Sequence, residues 1–120
     1  MAAGGHKGVV LVVDDEPAIR LLCKVNLELD GYEVREAGSL DEARAHLDHG
    51  VEVVLLDMHI GIERGAVLLE ELIARRIPVA VVTGSTDLET AGAGANAVLG
   101  KPFTIEELEE TVARLAASRL

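Results

Sequence analysis

The chain reads as one α/β domain built on a doubly wound parallel sheet. Three observations predict this. Short, largely apolar runs rich in Val and Leu recur at Val9–Val13, Val51–Leu56 and Val79–Val82. A run that is polar on neither face suits a strand buried on both sides of a sheet. Segments with helical spacing and helix-start signals lie between these runs, so strands and helices alternate. Finally, 120 residues are enough for one domain with a real core and too few for two.

The elements follow in order. Val9–Val13 is ended by Asp14-Asp15-Glu16-Pro17, and Pro17 suits the first turn of a helix. That helix is expected to reach about Asp30 and to stop at Gly31. Tyr32–Ala37 alternates weakly, as an edge-side strand does. Ser39-Leu40-Asp41-Glu42 has the pattern of a capping box, and Leu40, Ala43 and Leu47 share one face of the helix behind it. The second buried run ends in Asp57, and a helix is expected from about Arg64 to Arg75. The third ends at Thr83 and is followed by a weak, Gly-rich segment, Ser85–Gly94. A short strand at Ala97–Leu99 leads to Lys101-Pro102. Thr104 and Glu107 cap a last helix whose apolar stripe is Ile105, Leu108, Val112 and Leu115. Five strands thus alternate with five helices. Right-handed crossovers divide the helices over both faces. Residues 1–8 are expected to be an N-terminal tail and residues 9–120 a single domain.

Composition narrows the function. Apolar residues make up 49% of the chain, so it is globular rather than disordered. With one Phe, one Tyr and no Trp, the core must be aliphatic. A formal charge of −10 argues against direct binding to nucleic acid or to an anionic membrane surface. It suits a metal cation, although most of the 21 carboxylates are expected to be merely solvated. A lone cysteine, Cys23, excludes an internal disulfide, and no Cys/His cluster points to zinc. The start MAAGGHKG lacks an apolar signal stretch and no run approaches membrane-spanning length, so a cytoplasmic protein is expected.

In a parallel sheet of this kind, ligands sit beyond the carboxyl ends of the strands. Those ends carry Asp14 and Asp15, Asp57, Thr83 and Lys101. Close carboxylates repel one another unless a cation sits among them. Oxygen-only ligands favour Mg²⁺, with Mn²⁺ or Ca²⁺ as substitutes, over zinc. A carboxylate held at such a metal can attack phosphorus. A lysine and a hydroxyl beside it can bind the equatorial oxygens of the phosphoryl group. Taken singly, Asp57 reads as a turn residue, Asp14-Asp15 as a helix cap, Thr83-Gly84 as a turn and Lys101 as a surface lysine. Their placement at successive strand ends, in order, is what favours a site.

These residues resemble a family. Val-Val-Asp14-Asp15-Glu16-Pro17, Leu-Leu-Asp57, Val-Val-Thr83-Gly84 and Lys101-Pro102-Phe103 look like the signature of response-regulator receiver domains in two-component signalling. The match runs from about Val9 to Leu115. The resemblance implies the flavodoxin-like fold of the chemotaxis regulator, with strand order 2-1-3-4-5. It implies that Asp57 is the phosphoacceptor and that a phosphohistidine on a sensor histidine kinase or a histidine phosphotransferase is the donor. Mg²⁺ would be bound by Asp15, Asp57 and the backbone carbonyl of His59, with Asp14 acting mainly through water. Lys101 would contact the phosphoryl group and precede a cis peptide bond to Pro102, and Thr83 would be the switch hydroxyl. Such a domain is not an enzyme, but it assists its own phosphorylation and dephosphorylation.

Departures from the family pattern bear on output. The usual aromatic three residues before the lysine is Val98, and the usual proline four residues after the phosphoacceptor is Gly61. The segment from Thr83 to Lys101 is shorter by about one helical turn and carries Gly92 and Gly94. Its helix is therefore expected to be short, frayed or displaced. His59 could influence attack of water on the acyl phosphate, or be a plain exposed loop histidine. In the first helix, family spacing turns Ile19, Leu22, Cys23, Asn26 and Leu27 inward. Leu21, Val25 and Leu29 are left on another face. Neighbouring helices could cover that stripe, or the donor's helices could dock on it.

Other readings carry their own discriminators. A phosphorylation-independent interaction module would not take up phosphate from a small donor. An aspartyl-phosphate phosphatase would show a second Asp two residues after the nucleophile, where His59 stands. No Gly-rich phosphate loop follows the first strand, which argues against nucleotide binding. Met1 suggests a true start, and nothing resembling an output domain follows the last helix. A receiver excised from a larger regulator or hybrid kinase is the alternative.

Overall fold

The computed structural model of the chain describes residues 7–60, 65–84 and 94–117. Five parallel strands form one sheet: β1 (Val9–Val13), β2 (Glu33–Ala37), β3 (Val53–Asp57), β4 (Val79–Thr83) and β5 (Ala97–Gly100). Their order is β2-β1-β3-β4-β5, as the resemblance implied. Four helices connect them among the described residues: α1 (Pro17–Leu29), α2 (Leu40–Leu47), α3 (Ala66–Ala74) and the C-terminal α4 (Ile105–Ala117). The expectations for Gly61, Arg64 and residues 85–93 fall outside the described residues.

The three apolar runs become the three central strands, and every residue of β1, β3 and β4 is buried. Alternate side chains of a strand point to opposite faces, which splits the core in two. Val9, Leu11, Val13, Val54, Leu56, Val79 and Val81 pack with α2 and α3. Val10, Val12, Val53, Leu55, Ala80 and Val82 pack with α1 and α4. A fully buried leucine such as Leu55 contributes on the order of 2 kcal/mol by leaving water. Truncating one to Ala costs about 2–5 kcal/mol because the cavity does not fully close. The edge strand β2 buries only Val34 and Ala37 and turns charged side chains outward, which blunts its open edge.

Helix ends form as their residues dictate. Pro17 opens α1. The helix closes where Gly31 takes φ 101°, with the Tyr32 amide donating to the Leu27 carbonyl. Ser39 Oγ accepts from the Glu42 amide at 3.2 Å, while Glu42 Oε1 accepts from the Gly38 amide at 2.6 Å. The capping box thus reaches one residue further back than the sequence pattern implies. Thr104 and Glu107 exchange side-chain and backbone bonds at 3.0 and 2.9 Å, as expected. Below them Leu108, Val112 and Leu115 are buried, and Ile105 is half-buried.

The rotation of α1 corrects one expectation. Cys23 and Leu27 point inward, but Leu22 is 40% exposed and Ile19 only half-buried. Residues one turn apart, Cys23 and Leu27, cover the sheet, while Leu22 turns to an open groove that it lines with Ile19, Pro102 and Phe103. Asn26 is likewise half-buried, and its amide donates to the Leu22 carbonyl one turn back, at 2.8 Å. Leu21, Val25 and Leu29 are exposed, so no described neighbour covers them.

Candidate functional site

The site lies at the carboxyl edge of the sheet. Asp14 directly follows β1, Asp57 and Thr83 are the last residues of β3 and β4, and Lys101 directly follows β5. Parallel pairing in register places the ends side by side: Val13 pairs Leu56, Asp57 pairs Val82 and Thr83 pairs Gly100. The Lys101 amide extends that edge by donating to the Thr83 carbonyl at 2.8 Å. The Lys101–Pro102 peptide is cis.

Carboxylate oxygens of Asp14, Asp15 and Asp57 lie within 4.8 Å of one another. Asp14 and Asp57 are buried, at 2% and 5% exposure, and Asp15 is exposed. Thr83 is fully buried. Asp14 is held on both oxygens: Oδ1 accepts from the Glu16 amide at 2.9 Å and Oδ2 from Lys101 Nζ at 3.2 Å. Asp57 Oδ1 accepts from the His59 amide at 3.1 Å. Lys101 Nζ stands 3.8 Å from Asp57 and 3.9 Å from Glu16, so one ammonium is shared among three carboxylates.

The electrostatics follow. Burial pushes the Asp57 carboxyl up. The His59 amide opposes this, Asp14 reinforces it, Lys101 again opposes it and Asp15 adds a little upward. Lys101 also ends above its usual value. Burial alone would lower it, but the charges of Asp14, Asp57 and Glu16 and the bond to Asp14 together outweigh burial. Beneath the site, Cys23 lines a cavity of about 10 Å³ with Asp14, Asp57 and Phe103. Burial, and then the Asp14 charge, raise its thiol to about 11, so it stays protonated and inert.

Residues 10–113 match the family described as the response regulator receiver domain. The chain belongs to that family. It is 36% identical over 110 residues to the transcriptional regulatory protein AruR of Pseudomonas aeruginosa, covering 82% of this chain and 45% of that one. It is 37% identical over 117 residues to the phosphate regulon transcriptional regulatory protein PhoB of the same organism, covering 90% and 50%. The receiver domain thus spans about half the length of these regulators. Among solved structures, the chemotaxis response regulator CheY4 of Vibrio cholerae superposes with a TM-score of 0.82 at 29% identity, covering 90% of this chain and 98% of that one. The receiver domain of NtrX from Brucella abortus does so with a TM-score of 0.82 at 31% identity, covering 91% and 98%. Phosphorylation on an aspartate is the general function of receiver domains, and histidine kinases phosphorylate them. Receiver domains generally bind Mg²⁺ at an acidic cluster, and three oxygen donors of the kind Mg²⁺ prefers are grouped here.

Every strand-end residue singled out in the sequence stands at this edge. Gly65 was missed. A Cβ there would lie 2.8 Å from the Asp57 carbonyl oxygen and 3.0 Å from Met58 Cα. Its amide donates to the Met58 carbonyl at 3.0 Å, closing the loop that follows Asp57. A glycine directly before an apolar helix was the available signal. Val98 is 37% exposed and leaves no aromatic at its position on β5. Among the described residues, no helix is long and apolar enough to cross a membrane.

Proposed function

We propose that this receiver takes its phosphoryl group on Asp57 from a phosphohistidine of a sensor histidine kinase or a histidine phosphotransferase in the cytoplasm. The observation that carries the reading is the three-carboxylate group within 4.8 Å, with Lys101 bridging its buried members. An Asp57 carboxylate oxygen attacks phosphorus, the P–O bond forms as the P–N bond breaks, and the leaving imidazole nitrogen takes a proton from solvent. The bond from the His59 amide to Asp57 fixes the carboxylate for that approach. Lys101 is the group that meets the charge developing on the phosphoryl oxygens, and the Thr83 hydroxyl is the switch donor that binds them afterwards.

Asp15, Asp57 and the His59 carbonyl are the ligands proposed for Mg²⁺, with Mn²⁺ as a substitute. That ion would supply charge neutralisation among the carboxylates and toward the phosphoryl oxygens. Both Asp14 oxygens already serve the Glu16 amide and Lys101, which suits contact through water. With no substrate pocket required, the domain is a phosphoacceptor that assists its own chemistry rather than an enzyme acting on others.

The donor's docking face is α1. Leu21, Val25 and Leu29 are 58%, 45% and 82% exposed on a strongly acidic protein, and Leu22 joins them. Beside Leu22, a groove of about 360 Å³ is lined by Ile19, Pro102, Phe103 and the phosphoryl-facing Lys101. An apolar helix face running into that groove suits the helices of a donor whose histidine must reach Asp57.

Incubation with Mg²⁺ and phosphoramidate tests the assignment. Intact-mass spectrometry should show one added phosphoryl group on the parent protein and none on Asp57→Asn. Uptake by Asp57→Asn at the parental level would sink it.

A further inference from the structure

We infer that Glu16 is a charge gate at the mouth of the site, discriminating against small anionic phosphodonors in favour of a docked protein donor. The inference rests on the phosphoacceptor reading of Asp57.

Glu16 is the N-cap residue of α1, but its side chain makes no capping bond. Its position is held by its backbone, whose amide donates to Asp14 Oδ1 and whose carbonyl accepts from Ile19 and Arg20. The carboxylate is therefore spare as far as helix structure goes. It is 64% exposed, and Oε1 lies 3.9 Å from Lys101 Nζ. Lys101 is already bonded to buried Asp14 at 3.2 Å. Glu16 thus adds a third carboxylate around a single ammonium, on the solvent side.

An anion that bonds the same ammonium at about 2.8 Å comes within roughly 7 Å of the Glu16 carboxylate. That is inside the Debye length of about 8 Å at physiological salt, so the repulsion is felt on the approach path. A free donor meets this field with only its own few contacts to offset it. A protein donor offsets it with the apolar docking area on α1 and its groove. The discrimination therefore scales with the charge of the free donor. Acetyl phosphate is a dianion at neutral pH, whereas phosphoramidate is a zwitterion of one net negative charge.

The test follows phosphoryl uptake by intact-mass time courses with Mg²⁺, for both donors, across a range of ionic strength. Glu16→Gln removes the charge and keeps the backbone bonds. At low salt it should speed uptake from acetyl phosphate about five-fold and from phosphoramidate about two-fold, by Coulomb's law over roughly 7 Å at the dielectric of water. The difference should shrink as salt rises. Glu16→Asp, which keeps the charge, should keep the parental ratio between donors. An equal gain with both donors, independent of salt, would mean that Glu16 merely restrains Lys101, and the gate would be overturned. So would a donor ratio in Glu16→Gln equal to that of a normally phosphorylated parent. If the parent takes up phosphate from neither donor, the phosphoacceptor reading of Asp57 fails, and the gate with it.

Discussion

Asp57→Asn should stabilise the metal-free protein, although it removes the residue proposed to carry function. Asp57 is buried, and its carboxylate lies within 4.8 Å of those of Asp14 and Asp15. At an effective dielectric of about 20 the like charge of Asp14 at that spacing costs about 3 kcal/mol, and exposed, solvent-screened Asp15 adds about 1 kcal/mol. Lys101, 3.8 Å away, returns about 4 kcal/mol on the same scale. The charge pairs therefore nearly cancel, and burial, the largest cause of the raised Asp57 pKa, leaves the carboxylate costing about 2 kcal/mol. Weakening of the charge-assisted bond from the His59 amide takes back about half of that. A net gain near 1 kcal/mol raises the melting temperature by about 4 °C for a domain of this size. Thermal unfolding in a chelating buffer at neutral pH measures it. Added Mg²⁺ should reverse the order, because an ion that binds only the folded parent stabilises it by mass action. The pH dependence carries the same sign. Asp57 holds its proton more tightly folded than unfolded, since its folded pKa is raised. Its contribution is thus fully present below the unfolded value and is lost as pH rises through the folded one. Asp57→Asn abolishes that decline. A variant no more stable than the parent in chelator, with the same pH profile, would refute the reasoning.

Four further outcomes follow from the structure. Gly65→Ala forces a Cβ to 2.8 Å from the Asp57 carbonyl and should cost about 1–3 kcal/mol; chemical denaturation and phosphoryl uptake should both fall, and a neutral result would show that the loop yields freely. Arg76 ends α3 at φ 58°, with the Ile77 amide bonded to the Leu72 carbonyl, so Arg76→Gly should add about 0.5 kcal/mol by removing left-handed strain. Thr104→Ala deletes the side-chain acceptor for the Glu107 amide and should lower stability by about 1 kcal/mol in the same assay. Leu21→Asp with Val25→Asp should reduce transfer from a phosphohistidine protein about ten-fold while leaving uptake from phosphoramidate unchanged. Equal loss with both donors would exclude α1 as the docking face.

What the sequence by itself determined is the set of features that depend on near neighbours. Buried strands are legible because largely apolar, Val-rich runs of four to six residues bounded by turn residues are too short for a buried helix. Caps such as Ser39 and Thr104 are legible because donor and acceptor lie three residues apart. The gathering of the candidate site was legible too, because a parallel sheet sends every strand's carboxyl end to one edge. Asp14, Asp57, Thr83 and Lys101 could therefore be collected before any distance was known. Tertiary structure alone decided the quantities that depend on contacts across the sheet. The inward face of α1 stops short of Leu22 because that side chain meets an open groove beside Pro102 and Phe103 rather than packed core, which the helix's own period does not encode. Gly65 matters because the backbone of β3 passes within a Cβ's reach, a proximity no spacing encodes. Lys101 leans on Asp14 at 3.2 Å rather than on Asp57 at 3.8 Å, with Glu16 third at 3.9 Å. Coulomb energies change steeply over such differences at low dielectric. The order of those distances therefore settles which carboxylate the ammonium serves before a phosphoryl group arrives.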